Sequence, residues 1–198
     1  MFRGVRKSAM RVRDGRVQKK QRTAITPHYL THVMPSLVVD RRKPGAGYRH
    51  VVTRTDIWKF VSLLPDWEEL KKGLDAIVLD CGGGRMGWYR PGVVAICAWD
   101  CEISWDNCYS HFFEAHREVF DKLEIEYSQD DGIRIDFTAS SARAFLLVHV
   151  LVHELGHHRD LMTMRSRRGV CRGEGFAEAY ARRNEDEIIL RYRQAFGY

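Results

Sequence analysis

No two of the five cysteines (Cys81, Cys97, Cys101, Cys108, Cys171) stand in a Cys-x-x-Cys pair, and their number is odd. That pattern excludes a disulfide framework and an all-cysteine zinc site, and it predicts a reducing, cytoplasmic setting. Cys97, Cys101 and Cys108 are expected to be small buried thiols. A long hydrophobic run is missing too. The most apolar stretch, residues 144–152, is interrupted by His149 and is about half the ~20 residues that a bilayer span requires. There is no internal repeat, no low-complexity segment and no apolar core of a secretory signal. With 44% hydrophobic residues, a chain disordered throughout is excluded, and one soluble globular domain is expected.

Charge is scarce over most of the chain in net terms but not at its start. Residues 1–22 carry nine Arg or Lys against Asp14, a balance of +8, so the remainder is at −2. We therefore expect a basic, flexible tail over residues 1–25 and a near-neutral domain over 26–198. Such a tail is drawn to polyanions such as nucleic acid or an anionic membrane surface.

Residues 23–52 show no sustained periodicity. Thr55 or Asp56 is placed to cap a helix carrying Ile57, Phe60, Val61 and Leu64, with a short helix from Asp66 to Lys72 after it. The run from Asp75 to Asp80 suits a buried strand, and Cys81-Gly82-Gly83-Gly84 reads as a flexible turn rather than a phosphate loop. Met86 to Arg90 and Val93 to Trp99 form a hairpin around Pro91-Gly92. Asn107 is expected to cap a helix bearing Phe112, Phe113, Val119 and Phe120, with His111 and His116 at its edge or surface. Residues 125–127 and 133–137 alternate as short strands.

The chemistry is concentrated in Ala139 to Asp160, an apolar helix buried nearly all round that nevertheless contains His153-Glu154-Leu155-Gly156-His157. Residues four apart on a helix lie about 40° apart around its axis, so His153 and His157 direct two imidazoles toward one point. A zinc ion can span that distance, and Glu154 beside it can serve as general base toward a zinc-activated water. Buried imidazoles without partners are costly, and a metal partners both together. The metzincin continuation fails, because Asp160 occupies its glycine position and Thr163 its third-ligand position. Glu174 follows His157 with 16 residues between and is the candidate third ligand. Glu178, one turn further on, either orients an imidazole from behind or rivals Glu174. Gly175, Ala177 and Ala181 suggest that this second helix packs closely on another.

His153-Glu154-Leu155-Gly156-His157 followed by Glu174-Gly175-Phe176-Ala177-Glu178 resembles the gluzincin branch of the zinc metallopeptidases. The Glu-Gly-Phe-Ala piece is similar to the third-ligand motif of membrane alanyl aminopeptidases. The Glu-x-x-Ala-Glu order resembles small metallopeptidases that cleave phage-type repressors. The resemblance covers Ala139 to about Arg182. It implies Zn2+ on His153, His157 and Glu174, Glu154 as base, Glu178 behind the ligands, and peptide or protein substrates. It also implies an edge strand that binds substrate backbone, for which Val93 to Ala98 is the candidate. The spacer is shorter than in the larger gluzincins, which keeps Glu178 open as third ligand. Tyr180, His149, His158 and Arg183 are equal candidates for stabilising an oxyanion.

The expected fold is an α+β zincin-like domain. A small sheet from residues 75–99 and 133–137 packs on helix 139–160, and a helix from Glu174 toward Phe196 closes the site. The expected activity is peptide-bond hydrolysis. The alternative is a zincin-fold regulatory or nucleic-acid-binding module with a structural or vestigial metal site.

Overall fold

The computed structural model describes residues 12–13, 16–17, 27–102, 104–164 and 171–198. The tail expected over residues 1–25 lies outside these, apart from Val12–Arg13 (β1) and Arg16–Val17 (β2), which pair antiparallel. After a short 3-10 turn, His28–Leu30, come Val38–Arg41 (β3), Tyr48–Arg49 (β4), Arg54–Val61 (α1), Trp67–Leu70 (α2) and Ala76–Asp80 (β5). Gly87–Arg90 (β6), Val93–Cys97 (β7), Trp99–Asp100 (β8) and Ser104–Trp105 (β9) lead to Ser110–Lys122 (α3). Glu126–Ser128 (β10) and Arg134–Asp136 (β11) precede Ala139–Phe145 (α4), which runs through a π-helical stretch, Leu146–Leu151, into Val152–Thr163 (α5). Glu174–Arg183 (α6) and Glu185–Phe196 (α7) end the chain. The class is mixed α and β, with small sheets, as expected for α+β.

The main sheet has the order β3-β5-β7-β6, with β3, β5 and β7 parallel and β6 antiparallel to β7. Its two central strands are buried on both faces, which is why they read as unbroken apolar runs. Ile77, Leu79, Val94 and Ile96 belong to the large core that also contains Leu147, Leu151 and Leu155 of the long helix. The alternate residues Ala76, Val78, Val93 and Ala95 are small and pack with Tyr29 in a second cluster. The alternation follows from the two-residue repeat of a strand.

Several local expectations change. Val93 to Ala98 is not the edge strand. The hairpin at Pro91-Gly92 folds β6 outward, so β7 is enclosed between β5 and β6, and β6 forms the edge. Residues 133–137 do not join this sheet; β11 instead pairs with β10 and β9 in a separate three-stranded sheet. Helix α1 is capped by Thr53 rather than Thr55 or Asp56: its hydroxyl accepts the Asp56 N–H while the Asp56 carboxylate takes the Thr53 N–H. Asn107 does not cap α3, which begins after Tyr109; Asn107 has a left-handed backbone, φ 54°, against Gly132. The closing helix is two helices broken at Asn184. Of the cysteines, Cys97 is buried, Cys108 is half-buried, and Cys101 is exposed. No helix among the described residues is long and apolar enough to cross a membrane.

Candidate metal centre

Thr138 starts the long helix with a reciprocal cap: its hydroxyl accepts the Ser141 N–H, and Ser141 Oγ accepts the Thr138 N–H. The helix then widens to π geometry over Leu146–Leu151, six residues that are all buried, immediately before the histidines. Such turns are frequent at functional sites and leave no composition signal. From α5, His153 and His157 present their rings side by side, centroids 5.0 Å apart.

Helix α6 brings the carboxylates. Glu174 Oε2 lies 3.1 Å from His153 Nε2, and its Oε1 lies 3.4 Å from His157 Nε2. One donor atom from each of these three side chains falls within 4.8 Å of the other two. Donors placed 2.0–2.1 Å from a tetrahedral zinc sit about 3.3 Å from each other, so two imidazoles and a carboxylate at these separations fit the ion. Glu178 stands behind this set. Its Oε2 is 3.2 Å from His153 Nδ1 and its Oε1 accepts from Arg182 Nε at 2.7 Å. An Nδ1–H held there leaves His153 Nε2 free as a ligand, the usual role of a carboxylate behind a metal-binding histidine. The hydrogen bond from His153, with His149 and Arg182 adding to it against burial, holds the Glu178 carboxyl down to about 2. Of the two rivals, Glu174 is the one near both Nε2 atoms.

Two features allow α6 to come so close. Gly156 is one: a Cβ there would lie 2.8 Å from the Ala177 Cα, so only glycine lets the two helices touch by their backbones. The small residues Ala177 and Ala181 are fully buried in the interface as expected, whereas Gly175 faces outward. Asp160 is the other. This carboxylate, 1% exposed, accepts Arg172 Nε at 2.7 Å and the Gly173 N–H at 3.0 Å, which pins the start of α6 to the end of α5. Arg172 also lies over the Phe176 ring. Sequence reading noticed Asp160 only as a departure from the metzincin pattern.

Glu154 is 8% exposed, and burial, opposed by His153 and reinforced by Glu174, pushes its carboxyl up to about 7. Its neighbour across the gap is Gly87 of β6, where a Cβ would meet Glu154 Oε1 at 2.6 Å. The register explains what that edge offers. Met86 O accepts the Cys97 N–H at 2.7 Å, so bonded pairs fall at 86, 88 and 90, and the backbone groups of Gly87 and Tyr89 turn to the open side. Among the described residues no further strand pairs there. Tyr89 stacks against His157, and its buried hydroxyl has no partner among the described residues. Neither Gly87 nor Tyr89 stood out in the sequence.

The four oxyanion candidates lie elsewhere. Tyr180 is buried and donates to Asp66 at 2.9–3.0 Å, and the buried His158 is engaged through Nε2 with the Lys72 carbonyl at 2.9 Å. Arg183 is exposed. His149 is buried below the site between Glu178 and Glu185, 3.8 and 3.7 Å away, and Glu185 is in turn bonded to Lys122. His111 is exposed and His116 is half-buried against Phe112, the surface and core-edge placement expected. No protein-family model, no curated protein and no solved structure matches this chain.

Proposed function

We propose that this chain is a zinc-dependent metallopeptidase of gluzincin type with a zincin-like fold. The observation that carries the reading is the convergence of His153, His157 and Glu174 on one point with the buried Glu154 beside it. His153 Nε2, His157 Nε2 and the Glu174 carboxylate would hold the ion, and Glu178 would orient His153 from behind. Bound there, zinc lowers the pKa of a water to about 7 and polarises a carbonyl. Glu154 takes a proton from the attacking water and hands it to the departing amine nitrogen.

The substrate would lie extended along β6, adding a strand through the outward backbone groups of Gly87 and Tyr89. The absence of a side chain at Gly87 lets that strand approach Glu154. The reading as a regulatory module with a structural metal site is less well supported, because such a site has no use for a base buried beside its ligands. The test is paired. Glu154→Gln should retain zinc by elemental analysis yet lose cleavage of a mixed peptide library, whereas His153→Ala should lose both. Zinc retained by His153→Ala, or a zinc-loaded wild type that cleaves nothing in the library, contradicts the proposal.

A further inference from the structure

A cavity of about 560 Å3 opens beside the start of β6, within the range of small-ligand sites. Met86, which immediately precedes Gly87, lines it together with Cys97, its partner across the hairpin. Leu146 lines its helix side. Leu146, Val150 and Glu154 follow one another at four-residue spacing, and a Cβ on Gly87 would touch both Val150 and Glu154. One helix ridge and one strand edge therefore run from the candidate base to the cavity. Eight residues rise at most about 12 Å, less through the π-helical stretch, which an extended peptide covers in no more than roughly three to four residues.

One wall is aromatic, while Arg85, Asp100, Asp106 and Asn107 add polar groups to the lining. Trp99 and Trp105 stack with centroids 4.8 Å apart, and Phe112 meets Trp105 edge-on at 5.9 Å. Trp99 is only 3% exposed, yet its indole N–H has no partner among the described residues. A flat aromatic wall suits a flat side chain laid against it.

We infer that this cavity binds an aromatic side chain of the substrate, on one side of the cleaved bond and within about three residues of it. The inference rests on the peptidase reading for its substrate, but the pocket can be tested apart from it. The first assay is a peptide library digested by zinc-loaded protein and read by mass spectrometry. Phenylalanine or tyrosine should be favoured over alanine by about ten-fold or more at a position on one side of the bond only. Cys108→Phe, which fills the cavity from its rim, and Phe112→Ala, which removes a wall, should each reduce that ratio below about three-fold. Circular dichroism and zinc content should stay at wild-type values, which separates loss of selectivity from loss of fold. Cleavage without an aromatic preference, with a preference on both sides, or with a preference that both variants preserve overturns the inference. The second assay titrates Glu154→Gln protein with phenylalanine-containing peptides and follows tryptophan fluorescence. Binding that Cys108→Phe abolishes supports the pocket even if no library peptide is cleaved, in which case only the peptidase reading falls. No saturable change overturns the pocket.

Discussion

Replacing Glu154 by glutamine should stabilise the metal-free protein, and the gain should depend on pH. The side chain is 8% exposed, and burial is the main reason its carboxyl rises from the usual 4.5 to about 7. A raised acid pKa means that the folded state holds the proton more tightly than the unfolded chain. Stability is therefore lost as pH climbs from about 4.5 through about 7, and the penalty is complete above that window. At 1.36 kcal/mol per pKa unit, the ionised carboxylate costs the fold about 3 kcal/mol at pH 8. Glutamine has nearly the same shape and buries a similar polar group without ionising. In a domain of this size the gain corresponds to roughly 6–12 °C in Tm. Thermal unfolding in the presence of a chelator, at pH 5 and at pH 8, reads the effect directly. We expect the variant to unfold well above wild type at pH 8 and close to it at pH 5. Equal midpoints at pH 8, or a less stable variant there, would refute the argument that the fold bears the cost of burying this carboxylate.

Two further substitutions probe how the site is built. Asp160→Asn leaves Arg172 and the Gly173 N–H imperfectly matched and should cost roughly 1–3 kcal/mol in urea unfolding. It should also weaken zinc binding by about ten-fold or more, because Glu174 follows the loosened segment directly; unchanged affinity would separate Asp160 from the site. Gly87→Ala places a methyl group 2.6 Å from Glu154 Oε1 and 2.9 Å from Val150 Cγ1, so the carboxylate must shift, and peptide cleavage should fall at least about ten-fold while zinc content holds. Full activity in that variant would count against Glu154, held where it is, as the base.

What the sequence disclosed and what it concealed divide along a physical line. His153, Glu154 and His157 share one helix, and their relation is set by helical geometry alone, so spacing was sufficient to place them together. Glu174 and Glu178 came within reach through a second local pattern, and small residues at 177 and 181 rightly indicated close helix contact. The edge of the sheet was different. β7 is an unbroken apolar run suited to a central strand, whereas β6 is half-buried and ends in Arg90, so the difference lay in the residues, but the pairing of β7 with β5 that makes it decisive did not. Gly87 had the look of an ordinary glycine for the same reason, since its role exists only once Glu154 faces it. β3 was missed because four residues ending in Asp40 and Arg41 show no alternation; its parallel pairing with β5 makes it a strand. Asp160 carried a signal that was read for the wrong purpose. An acid near a helix end, followed twelve residues later by Arg172 and Gly173 at a helix start, marks a clamp between two helices.

Calorimetric titration of the chelator-treated protein with zinc chloride bears most directly on the whole account. One saturable site per chain should be found in wild type, persist in Glu154→Gln, and disappear in His157→Ala. An absence of saturable binding in wild type, or an undiminished site after loss of that imidazole, would contradict the assignment of His153, His157 and Glu174 as a zinc cage.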